Sequence, residues 1–187
     1  GLPVNTIKEF DGNKKTFIRE VRPLKDLEVL ASDENVLVTL TKNEVFISKN
    51  AGFSWQTLGF SSRTSGGKAV AAAMLEEKTS EGTKKELTVF LSHALYGLSY
   101  IQPDRLSSKW TDITDGIEKI PTLPYTDEIA DISVMQVTDT DGSLKEEVYF
   151  TQTFLPRLYR LDWENKTGTL IAQGSEAADT WDGLGIA

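Results

Sequence analysis

The chain has 187 residues, of which 39% are hydrophobic and 26% charged, with a formal charge of -8 and a pI near 4.8. That length can bury a sizeable core without covalent staples, and the acidity argues against a nucleic-acid backbone or an anionic membrane surface as the main partner. Cysteine is absent, which removes disulfides and thiolate metal sites but fits either the cytoplasm or a cell envelope, and no apolar run approaches the roughly 18 residues of a membrane helix.

Residues 1–26 read as an N-terminal segment. Within it, Phe10 to Phe17 around Asp11-Gly12-Asn13 form a candidate hairpin that would pair with a neighbouring unit. Gly1-Leu2-Pro3 lacks both an initial methionine and a basic-then-apolar leader, so the chain is read as processed, with an extracytoplasmic location expected. Pro23 to Leu27 carries a one-turn helical signal, as do residues 175–180.

Three blade-like units follow, at 27–60, 61–120 and 121–187. The first holds apolar strands near 27–30, 36–40 and 44–48, and ends at Trp55. The second has a strand at 69–75, a polar connection over 76–86, strands at 87–91 and around Leu98 to Ile101, and ends at Trp110. The third repeats that order with strands at 132–137, 148–151 and 158–161, a connection over 138–147, and an end at Trp181. Val89-Phe90 corresponds to Tyr149-Phe150, Leu98 to Leu158 and Ile101 to Leu161. Strand, hairpin, strand, turn, strand and tryptophan, recurring at this period, predict an all-β propeller-type array of about three four-stranded antiparallel blades. Complete rings hold about 4–8 blades. Three units therefore predict a partial propeller, completed by further sequence or by copies of the chain in a homo-oligomer.

The turn Ser48-Lys49-Asn50-Ala51-Gly52-Phe53-Ser54-Trp55 carries the most specific pattern. An Asn side chain accepts from nearby backbone N–H groups, Gly supplies a special backbone angle, and Trp buries its ring between sheets. Ser48, Gly52 and Trp55 match the Asp-box, with Asn50 in place of its aspartate and Ser54 in place of its threonine. The turn thus resembles that of the BNR-type propellers: sialidase-like, sortilin-like and photosystem-assembly-factor-like proteins. In that family the box is structural, so the resemblance gives Ser48, Asn50, Gly52 and Trp55 a structural role, and Trp110 and Trp181 anchor the other repeats. A sialidase-like hydrolase would also need an arginine cluster for a carboxylate and a tyrosine nucleophile paired with an acid. Arg22-Pro23 matches the family's opening motif only in part, and Arg63, Arg105, Arg157 and Arg160 lack a recognisable context.

The remaining motifs have structural readings. Asp139-Thr140-Asp141-Gly142 is a hairpin turn rather than a calcium loop. His93 has no second histidine or cysteine to share a metal. Gly66-Gly67-Lys68-Ala69 lacks phosphate-loop spacing, and Asn165-Lys166-Thr167 fits a glycosylation triplet that is common by chance. Phe154, Arg157 and Tyr159 form a candidate binding face. The function expected is a non-catalytic binding or scaffold module of a larger secreted or envelope protein, with a protein or carbohydrate partner. No catalytic residue, metal or cofactor is assigned. The alternatives are a fragment of a sialidase-like glycoside hydrolase and an accessory domain of a larger enzyme.

Overall fold

The computed structural model describes residues 5–11, 14–20, 24–42, 44–60, 66–80, 82–93, 97–113, 116–117, 129–152 and 157–174, the first two segments by backbone alone. The described residues are all-β and contain no helix. Among the described residues no helix is long and apolar enough to cross a membrane.

β1 (Asn5–Asp11) and β2 (Lys14–Glu20) form a hairpin in a two-stranded sheet of their own. The candidate hairpin thus exists, and its strands pair with each other rather than with a neighbouring unit. The first four-stranded sheet comprises β3 (Asp26–Leu30), β4 (Asp33–Leu40), β5 (Glu44–Ser48) and β6 (Gln56–Phe60). The second comprises β7 (Gly67–Thr79), β8 (Gly82–His93), β9 (Gly97–Ile101) and β10 (Thr111–Ile113). The third comprises β11 (Ile129–Thr138), β12 (Leu144–Gln152), β13 (Arg157–Asp162) and β14 (Thr167–Gln173). Each is an antiparallel meander in chain order. The row of sheets is not closed on itself.

Two expectations need correction. Asp26 opens a strand where the sequence suggests a helical turn, and its backbone aligns with Leu40. The polar connection over 76–86 is strand for most of its length, with the turn confined to the Thr79 and Gly82 pair. Opposite charges face each other along it, Glu76 beside Lys85 and Glu77 beside Lys84, and such cross-strand pairs support a ribbon beyond its apolar part. The helical signal at 175–180 lies outside the described residues.

The second sheet is the middle layer and is buried on both faces. Alternation sends Val70, Ala72, Val89 and Leu91 toward the first sheet, where they meet Val38, Leu40, Val45 and Ile47. Ala71, Ala73, Leu75 and Phe90 face the third sheet and meet Ile132, Val148, Phe150 and Tyr159. Burial on both faces explains the unbroken apolar run at 69–75. The first strands of consecutive sheets, β3, β7 and β11, lie side by side. The alanines of β7 are buried between the layers, and small side chains permit close packing there.

The outward N–H groups of β7 need partners, because an unpaired buried donor is costly. Neighbouring carboxylates supply them. Val70 N donates to Asp26 Oδ2 at 2.7 Å, from the first sheet, and Met74 N donates to Glu146 Oε2 at 2.5 Å, from the third. Lys25 Nζ donates to the Gly67 carbonyl at 3.1 Å. Gly116, after β10, is in the left-handed region at φ 73°. A Cβ there would collide with the carbonyl oxygen of Gly168.

Candidate functional site

The turn at 48–55 is a closed hydrogen-bond unit. Ser48 Oγ donates to Asn50 Oδ1 at 3.0 Å and accepts from Gly52 N at 2.9 Å. Asn50 Oδ1 also accepts from Ser54 N at 2.9 Å, while Asn50 Nδ2 donates to Ser54 Oγ at 2.8 Å. Gly52 has φ 82°, which favours glycine. Trp55 Nε1 donates to the Gly52 carbonyl at 3.0 Å, and the indole is half-buried. The indole N–H therefore closes its own turn. Every polar atom of this turn described above is used within it.

Trp110 sits immediately before β10 and reaches back to the first sheet, donating from Nε1 to the Leu58 carbonyl at 3.1 Å. Trp181 and Phe154 lie outside the described residues. Arg157 is buried, and Tyr159 is 1% exposed, stacked on Phe150 with ring centroids 5.2 Å apart and donating to Gln152 Oε1 at 3.1 Å. In this sheet inward alternation takes Tyr159 into the core, so these two residues present no open face.

The indole described on the third sheet is Trp163, in the turn between β13 and β14. It packs edge-on against Phe90 and Tyr100 of the second sheet, with centroids 5.9 Å and 4.9 Å away. Lys166 Nζ lies 3.2 Å above the ring, donates to the Trp163 carbonyl at 2.5 Å and pairs with Glu77 at 3.2 Å. Burial pushes the Lys166 ammonium below its usual range, an effect opposed by the Glu77 carboxylate. Glu77 also meets Arg105, whose Nε holds Glu86 at 2.5 Å. The turns of the second and third sheets are thus tied together through one carboxylate.

Trp163 and Glu146 line a cavity of about 700 Å³ between the two sheets, together with Met74, Leu75, Glu77 and Lys166. Glu146 Oε1 and Trp163 Nε1 are buried, and neither has a hydrogen-bond partner in the protein. Buried polar atoms are almost always paired, so each exception asks for an explanation. Glu146 was legible in principle: it shares the inward register of Val148 and Phe150, where a carboxylate is out of place. Trp163 carries no local sequence signal that sets it apart from Trp181.

The mouth of the cavity carries an acid–phenol pair. Tyr149 donates to Glu147 Oε2 at 2.7 Å, and Lys145 and Arg160 lie 3.3 Å and 3.9 Å from the same carboxylate. The hydrogen bond from Tyr149, with the two cations, holds the Glu147 carboxyl below its usual range. The carboxylate in turn pushes the Tyr149 phenol up, and burial adds to it.

A second acidic group lies along the inner strands. Burial raises the Asp26 carboxyl, helped by Asp131 and opposed by the N–H groups of Val70 and Leu27. Glu28 is raised by burial and by both aspartates. Among the described residues no cluster of histidine and acidic side chains has metal-binding geometry. The loop at 139–142 spends its carboxylates on its own turn, Asp139 on Thr140 N and Asp141 on Ser143 N. His93 is buried at the end of β8. No family model, curated protein or solved structure matches the chain.

Proposed function

We propose that the chain is a non-catalytic binding module built from consecutive propeller-type blades, with its ligand site in the cavity between the second and third sheets. Three features support the blade reading: equal meanders, adjacent first strands, and indoles that reach back from one sheet to the one before. The observation that carries the binding reading is the pair of buried polar atoms, Glu146 Oε1 and Trp163 Nε1, without partners beside one cavity. A volume of about 700 Å³ lies within the usual span of small-ligand sites.

In this reading further blades, from additional sequence or a second copy, pack against the outer sheets. Leu27 and Val29 on the first, and Met135 and Ile171 on the third, are each about half exposed, and apolar side chains so placed suit a covering layer. Hydrogen exchange tests the site. The protein is incubated with a pool of short extended peptides and, separately, with a pool of neutral oligosaccharides. Protection gathered at residues 74–78, 145–148 and 160–166 supports the reading. Protection elsewhere, or none with either pool, removes it.

A further inference from the structure

We infer that the outer edge of the third sheet, β14, pairs antiparallel with the same strand of a second copy of the chain, around a two-fold axis at Leu170. The inference does not depend on what the cavity takes. Each four-stranded sheet ends outward in its last strand, β6, β10 or β14, and an edge strand offers a row of unpaired N–H and C=O groups to any strand that can reach it. Two of these edges are closed. In β6, Gly59 at φ 103° departs from strand geometry, and the Leu58 carbonyl is taken by Trp110 Nε1. β10 is three residues long and carries Asp112. β14 runs for seven residues with no charge and no proline. Leu170 and Ile171 are 44% and 50% exposed, and no strand lies beyond β14 among the described residues. Edges are ordinarily blunted by lysine, proline, a bulge or short length. β14 has one of these devices, a register slip opposite Leu158 and Tyr159. A bulge twists the strand and shortens what it can pair, so the joint is short and the association weak.

The occupant is a second copy because the strand complements itself. Identical strands joined across a two-fold axis run antiparallel and make the same contacts from both sides. With Leu170 opposite its own copy, Thr169 faces Ile171, Gly168 faces Ala172 and Thr167 faces Gln173. Each pair matches in kind: β-branched with β-branched, small with small, polar with polar. Leucine and β-branched side chains pair well across strands, and no charge enters the joint to repel a like charge opposite.

The test is sedimentation velocity on the whole chain from about 10 µM to about 1 mM. The expected result is a reversible monomer–dimer equilibrium that tightens with salt, since each copy carries a charge of -8. Leu170→Lys and Leu170→Glu should each weaken it about tenfold, because each sets like charges opposite one another at the axis. An equal mixture of the two should restore it, since opposite charges then meet. Far-UV circular dichroism matching the parent shows that both variants are folded. Hydrogen exchange of the parent needs no variant: amides of residues 168–173 should gain protection as concentration rises. A chain that stays monomeric up to about 1 mM overturns the inference. So does a dimer that neither substitution weakens, one that the mixture fails to restore, or one that forms with exchange at 168–173 unchanged. Leu27→Lys, on the first sheet, should leave the dimer intact. Loss of the dimer there would move the joint to the first sheet and overturn the inference equally.

Discussion

The two junctions of the molecule use the same parts and end differently. Between the first and second sheets, Val, Leu and Ile side chains fill the layer, Asp26 holds the β7 backbone, and the Trp110 N–H finds the Leu58 carbonyl. Between the second and third, Phe90, Phe150 and Tyr159 join the aliphatic side chains, Glu146 holds the same strand four residues on, and Trp163 docks against Phe90 and Tyr100. The first junction satisfies the polar atoms that fasten it. The second leaves one carboxylate oxygen and one indole N–H over, beside a cavity. A fastening device is thus separable from its hydrogen-bond completion.

The strongest way to sharpen the contrast is at neighbouring positions of β8. Leu91 and Phe90 are both fully buried and face opposite junctions. Leu91→Ala should cost about 2–5 kcal/mol and Phe90→Ala about 3–5 kcal/mol in urea denaturation. Only Phe90→Ala should also alter Trp163 emission, since it removes a ring that touches the indole. Equal emission changes would show that the two layers are not independent.

A smaller effect separates the indoles. Trp110→Phe should destabilise by about 1 kcal/mol more than Trp163→Phe, because only the former loses a hydrogen bond and leaves a carbonyl unpaired. The reverse order would break the claim that the second junction is incomplete.

The pH response of the first junction comes next. The Asp26 carboxyl is raised in the folded protein, chiefly by burial, so the folded state holds its proton above the ordinary carboxylate value. Stability from this group is therefore greatest at low pH and falls as pH rises through the raised value. Asp26→Asn, whose amide oxygen can still accept from Val70 N, should flatten that fall and be at least as stable at pH 7. Urea midpoints compared at pH 4 and pH 7 read it, and a steeper decline in the variant would contradict the sign. Smallest of all, Lys78→Ala removes an exposed ion pair to Glu164 and should leave the urea midpoint unchanged. A clear loss would mean the protruding ribbon is held more tightly than its exposure implies.

The sheets were legible because their alternation is regular: Val45, Phe46 and Ile47, or Val148 and Phe150, fall where strands must run. The ribbon at 76–86 was not, because its strands are stabilised by facing charges instead of buried apolar groups, and charges read as loop. The partner of the Trp55 N–H, the Gly52 carbonyl of its own turn, is a matter of local geometry that sequence does not specify. The cavity needed three dimensions. Glu146 and Trp163 are 17 positions apart and meet through strands whose register no local pattern encodes.

Gly116 has a wider consequence. Its contact with Gly168 is backbone against backbone, at the outer margin of the third sheet. No rotamer can relax there, so any side chain at position 116 would have to shift one of the two main chains, and drift there is barred by backbone geometry rather than by the packing of the sheets.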